Sequence, residues 1–420
     1  MSPTATLPTI REPLDPEWVE RSAVERGEPD LLRRSRRSAA ERAAAVPWPT
    51  GQEEEWRRFP PAQIPPTPLT GATATASYIA AGLPKGVYIA DLATAVRERP
   101  DLVERWLDTG GRVPTHSAMT ALADALWTTG TFVYVPRGVT LRAPMTVERT
   151  WSGDGAALSR TIVVAEEDSR FTFVEDVRSA GGAAAHVAIP HLDVHVGAGA
   201  DVRYVHLQRY ASDVWDLGAQ WYGSDRDSRL ASYNVLLGST RTKLGIVSDM
   251  KGNGAEVKLY GLIAAGEDQR IDVDSLQRLD GRGGQSDLLY LSALYDSAKA
   301  TFYGVVRVEP TSHATGSYQE CRNLLLSDKA GANPIPVLEI LTNDVSRCGH
   351  GATAGRMSEE ELFYVLSRGV DRKTAEALLV RGSFARVIDR IPDEAVCARV
   401  LEALRPRIGH IAEIDMDEAA

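Results

Sequence analysis

Between Ser346 and Val370 the chain reads "SRCGHGATAGRMSEEELFYVLSRGV", with a cysteine, a histidine and glycines gathered ahead of a helix start. Only three cysteines and eight histidines occur in the whole chain, so Cys348 and His350 concentrate soft donors in one place. In an extended segment the two share a face, because side chains alternate with a period of two. A thiolate and an imidazole are good ligands for zinc, iron or an iron–sulfur cluster. Two donors do not close a structural site. The others must come from elsewhere in the chain, such as Cys321, or from a second chain. The plainer alternative is a packed pair in a turn. "HLDVH" is a second such pattern: His191, Asp193 and His195 share one strand face and suit a nitrogen–oxygen metal site, or simply make a polar outer sheet face. Asp272, Asp274 and Asp280 are the carboxylates that a polysaccharide-cleaving solenoid would need, although no aromatic groove pattern accompanies them.

Other chemistries lack their signatures. The nearest thing to a phosphate loop, "GSTRTKLG" from Gly238, has no glycine before the lysine. There is no Gly-x-Ser-x-Gly elbow and no His-Glu-x-x-His helix. "GAGAD" from Gly197 leads into a strand and reads as a tight turn. Acidic residues outnumber basic ones 57 to 47, which argues against nonspecific nucleic-acid binding. "RRSRR" (Arg33 to Arg37) reads as a solvated helix face, with a basic patch as the alternative. No run approaches about 18 apolar residues, and the first residues lack a basic start and apolar block. A cytoplasmic protein that does not span a membrane is expected. Cys321, Cys348 and Cys397 make no disulfide framework, so free thiols, ligands or buried fillers are expected.

These residues must be positioned by three kinds of texture. Residues 1–125 read as a mainly helical region. It contains a Pro-rich linker, "PPAQIPPTP", and three aromatic anchors, Trp48, Trp56 and Phe59. Residues 126–354 alternate apolar and polar positions in short strand-like runs. The markers Phe171, Val202, Leu230, Val257 and Leu288 recur at roughly 27–31 residues, which points to a β-solenoid, with a β-sandwich as the rival. Residues 355–420 return to helical period. "SEEE" (Ser358 to Glu361) is a capping box and Gly369 a stop. A second short helix is expected from the Asp371 cap to a stop at Gly382, and then two more, the last opened by Pro392 at its first position. Four short helices would make a C-terminal domain that docks a partner or caps the solenoid.

From Cys321 to about residue 390 the elements "RNLLLSD", "P.LEI", "HGAT.G" and "LFY..SRG" together resemble the SufB/SufD family of iron–sulfur cluster assembly proteins, SufD most of all. "EEEWRRF" near residue 54 is similar to the N-terminal region of SufD. The resemblance implies a right-handed parallel β-helix core with helical regions at both ends, in agreement with the solenoid pattern. It implies a non-catalytic scaffold that pairs with a SufB paralogue through the β-helix. The C-terminal helices (355–420) would dock SufC, an ABC-type ATPase that hydrolyses the ATP. The complex would build a transient cluster and pass it to apo-proteins, and a reduced flavin is possible in it. His350 matches a histidine placed near a SufB cysteine across the interface and is the foremost candidate ligand for cluster or iron, with Cys348 beside it. Cys321 falls where SufB carries its functional cysteine, which leaves room for a SufB-like homologue that pairs with itself.

Overall fold

The alternating runs from Thr129 to Arg356 form short strands, because β-branched and aromatic residues fit a pleated surface buried on both faces. In this computed structural model, which describes residues 8–107, 117–180 and 187–408, the strands coil into a β-solenoid of about eight turns. Successive turns add strands to a nine-stranded and a ten-stranded sheet and pair in parallel. The sequence echo is the coil itself. Phe171 pairs with Val202, Val202 with Leu230, and Leu230 with Val257. Leu288 pairs with Leu259, two residues along the same face.

One corner of the coil is built the same way on each turn. Asp168, Gly199, Asp227, Gly254, Gly283 and Ala314 all have φ between 53 and 70°. Glycine and aspartate reach this left-handed region most easily. Their N–H groups bond to the next coil, Gly199 to the Arg226 carbonyl and Asp227 to the Asn253 carbonyl. Gly199, in "GAGAD", is thus part of a tight turn. Inside, apolar side chains fill most of the lumen, and several of the polar ones there bond to each other. Glu175 accepts from Thr161 at 2.7 Å and Tyr204 at 2.8 Å; Gln220 donates to Asn234 at 2.8 Å.

Helices α1 (Pro16–Glu25), α2 (Asp30–Ala45), α3 (Leu92–Glu98), α4 (Pro100–Leu107) and α5 (Ser117–Leu126) form the N-terminal region. α5 packs on the ten-stranded sheet and α2 on α5. Trp56 and Phe59 are buried in the same cluster, as their anchor role requires. The strands Thr73–Ile79 and Tyr88–Asp91 pair antiparallel with the first strands of each sheet and cover those edges. "RRSRR" departs from the solvated-face expectation at Arg36. Arg36 is buried over the Trp127 ring at 4.3 Å and donates to the carbonyls of Ala125 and Trp127. Arg33, Arg34 and Arg37 pair with Asp30, Glu104 and Glu20.

At the other end lie α6 (Glu359–Leu366), α7 (Arg372–Ile388) and α8 (Glu394–Ile408). The Ser358 hydroxyl accepts from the Glu361 N–H at 3.3 Å, and Asp371 caps α7 by accepting from Thr374 at 3.1 Å. Gly369, at φ 84°, ends the first turn-out as expected. Gly382 does not stop a helix: α7 runs through it, so three helices among the described residues replace the expected four. A glycine inside a helix costs only about 1 kcal/mol. The buried stripe Val380, Phe384, Val387 and Ile388 holds α7 together on the outer face of the nine-stranded sheet. Asp393 is the residue that caps α8, accepting from Val396 at 2.9 Å, and Pro392 lies one position ahead of it.

Candidate functional site at the open end of the solenoid

Three strands close the solenoid: the cysteine strand Thr315–Leu325, the edge strand Gly331–Ile340 and the terminal strand Val345–Arg356. The terminal strand is last in the nine-stranded sheet and the edge strand last in the ten-stranded one. Each pairs on one side only, so a row of backbone donors and acceptors stays open. Ile340 and Leu341 stand 41% and 48% exposed at this rim.

Alternation decides what each candidate faces. In the cysteine strand Ser317, Gln319, Cys321 and Asn323 are buried toward the lumen, while Tyr318, Glu320 and Arg322 point outward. Ser317 pairs with Cys348, Gln319 with His350, and Cys321 with Ala352. Cys348, His350 and Ala352 therefore share the lumen-facing column, one rung further out. The lumen ends there, so His350 is exposed and Cys348 half-buried against the core. Beneath His350, the Gln319 amide nitrogen donates to Gln277 at 3.0 Å, and its buried oxygen has no donor among the described residues.

Cys321 sits one rung inside, near Tyr290 in register. Burial pushes its thiol up to about 12, against an opposing hydrogen bond from the Asn323 amide at 3.5 Å. Burial also raises Cys348. Both are thiols at neutral pH until something draws the proton off. The structure thus places Cys321, Cys348 and His350 on the lumen-facing side of two adjacent strands, with Cys321 level with Ala352. Among the described residues, no three of His, Cys, Asp and Glu gather as a metal-ligand set.

The other patterns have structural uses. His191, Asp193 and His195 do lie on the outer face of one strand, but under helices. His191 Nδ1 is 2.7 Å from Asp124 of α5, and Arg160 is 3.3 Å from Asp124 and 3.4 Å from Asp193. Burial would raise the Asp124 carboxyl, but Arg160 and His191 outweigh it and pull it down. The His195 ring packs between Trp106 at 4.2 Å and Trp221 at 5.1 Å. Asp272 and Asp274 both hold Lys243, at 2.7 and 2.5 Å, beneath the Trp56 ring. Asp280 lies in a turn with Arg278 at 3.2 Å. These carboxylates neutralise cations rather than flank a bond to be cleaved.

Two features went unread in the sequence. Arg386 of α7 forks onto Glu320 at 3.0 and 2.8 Å, and so ties the C-terminal helices to the cysteine strand. Within "LFY", Leu362 is buried while Phe363 and Tyr364 stand 72% and 59% exposed on α6. The helical period holds the signal for the second: residues one and two past an inward leucine must turn outward.

Two family descriptions match the chain: "SufBD protein N-terminal region" over residues 70–147 and "SUF system FeS cluster assembly, SufBD core domain" over residues 149–383. The chain is 30% identical over 331 residues to the iron–sulfur cluster assembly protein SufD of Bacillus subtilis, covering 77% of this chain and 74% of that one. It is 26% identical over 312 residues to SufB of the same organism, covering 74% and 66%. A SufBD family protein of Mycobacterium bovis is 30% identical over 375 residues, covering 87% and 90%. No helix among the described residues is long and apolar enough to cross a membrane. The core match spans the solenoid from its second strand (Met145–Ser152) through the terminal strand and most of α7, and on that ground the chain belongs to the SufB/SufD family of iron–sulfur cluster assembly proteins.

Proposed function

We propose that this chain is a SufD-type scaffold subunit whose open solenoid end meets a SufB-type partner and holds a nascent cluster between them. The observation that carries this reading is the place of His350. It is exposed, on the lumen column, on a terminal strand whose far edge is unpaired. A partner strand added to that edge would satisfy its backbone and bring further soft ligands to the imidazole. Gln319, one rung beneath, is the group that would orient the imidazole, as outer-shell partners of ligating histidines do. Cys348 lies beside it. Cys321 becomes a ligand only when the terminal strand lifts and the thiol loses its proton. The cluster is cargo, assembled for apo-proteins in a reducing, cytoplasmic setting.

The same reading assigns the C-terminal helices to a SufC-type ATPase. Phe363 and Tyr364 are the exposed aromatic pair on α6, with Glu359, Glu360 and Glu361 in its first turn. Movement of a docked ATPase would reach the cysteine strand through α7 and the Arg386–Glu320 fork.

The test is co-expression with a SufB homologue and SufC. The wild-type complex reconstitutes iron–sulfur absorbance, and His350→Ala assembles equally but holds less cluster. Equal cluster content in both sinks the ligand role. Phe363→Ser/Tyr364→Ser loses SufC from the complex while the solenoid pairing survives; unchanged SufC recovery removes the docking assignment. Recovery of a stable homodimer with cluster would favour the self-paired alternative.

A further inference from the structure

On the outer face of the ten-stranded sheet, Arg241, Arg270 and Lys299 stand in one register column on three consecutive coils. Paired strands lie about 4.8 Å apart, and like charges directly opposite one another destabilise a sheet. Arg241 is answered by Asp268 at 3.3 Å. The Arg270 guanidinium makes no ion pair or side-chain hydrogen bond among the described residues. Lys299 has only the Lys329 carbonyl, at 2.7 Å. In the next coil the column ends in Gly331, and the Lys299 side chain lies over that glycine, where a Cβ would come within 2.8 Å of its Nζ.

Beside Arg270 and Lys299 lies a groove of about 320 Å³ between the sheet and the N-terminal segment. Arg58 reaches it from the segment side, Phe59 gives it an apolar wall, and Thr301 and Asn333 offer a hydroxyl and an amide. Its one carboxylate, Asp272, is held by Lys243. Arg58 is met by Glu54 at 2.9 Å, so Arg270 and Lys299 are the charges left over. Two cations held one strand spacing apart are a bidentate receptor for an anion with several oxygens. A chain of net charge -10 has no general attraction for anions, so the groove would act by local geometry.

We propose that this groove binds a multivalent oxyanion of the phosphate class, bridged between Arg270 and Lys299. The volume exceeds that of a bare phosphate and leaves room for an organic group against Phe59. The site lies on the flank of the solenoid, and its outcome is independent of the scaffold reading.

The test titrates the full chain calorimetrically with pyrophosphate and with ribose 5-phosphate, at constant ionic strength. Saturable binding is expected, weakened about tenfold or more in Arg270→Gln/Lys299→Gln. The melting temperature should rise with ligand in the wild type and not in the double variant. Both side chains reach solvent and repel each other, so the unliganded variant should melt no lower than the wild type. Tighter binding of pyrophosphate assigns an inorganic ligand, and tighter binding of the sugar phosphate an organic one. Absence of saturable binding, or equal binding by wild type and double variant, overturns the proposal.

Discussion

Asp216 offers a quantitative test of how the lumen is held. It lies in the short strand Trp215–Asp216 and is buried. One carboxylate oxygen accepts from the Gln208 amide at 3.0 Å; the other has no donor among the described residues. Burial raises the carboxyl from 3.8 to about 7, and the Gln208 bond only partly opposes the shift. The folded state therefore holds a proton that the unfolded state has released. Stability from this group is full below the unfolded value and is lost as pH rises through about 7. At about 1.4 kcal/mol per pKa unit the whole loss is about 4 kcal/mol, of which about 3 falls between about pH 4.5 and pH 8. Asp216→Asn keeps the shape and an oxygen for Gln208 but does not titrate. Urea midpoints for both chains, at equal m, should show the variant gaining about 3 kcal/mol on the wild type across that range. A difference that stays flat with pH would refute the reasoning, whatever its offset.

Other perturbations follow from the same geometry. Lys243→Met leaves Asp272 and Asp274 buried without their cation. It should cost about 3–5 kcal/mol near neutral pH and less in acid, where burial favours the protonated acids; urea unfolding at two pH values checks this, and an equal cost at both would count against it. Glu320→Gln and Arg386→Met should each cost about 1 kcal/mol, since the pair is partly solvated, and the double variant little more than either. Full additivity in that cycle would mean that the fork does not couple α7 to the cysteine strand. Mass-resolved alkylation at about pH 7.5 should modify Cys321 far more slowly than Cys348 or Cys397, because its thiol is the most buried and the furthest raised. Equal rates would show that the terminal strand opens freely.

Much of this architecture was written locally. Period-two alternation and the recurrence of Phe171, Val202, Leu230 and Val257 carry the coil, because each turn repeats the same corner and the same inward positions. Ser358, Gly369 and Asp371 mark helix ends by hydrogen bonds that reach only three or four residues. "HGAT.G" and "LFY..SRG" carry the family. Local signals fail where a distant surface decides. Gly382 lies inside α7 because the nine-stranded sheet buries the residues around it. Arg36 leaves water because Trp127 and two carbonyls, about ninety positions away, receive it. The "HLDVH" face is as polar as its spacing promised, but α5 brings Asp124 to it and makes it a buried ion network. Sequence alone fixed that Cys348 and His350 share a face. Only the stacking of coils showed that this face is the end of the lumen, with Cys321 one rung inside, Gln319 under the imidazole and an open strand edge beside it. Register between strands some thirty residues apart depends on how whole coils stack, and no local pattern contains it.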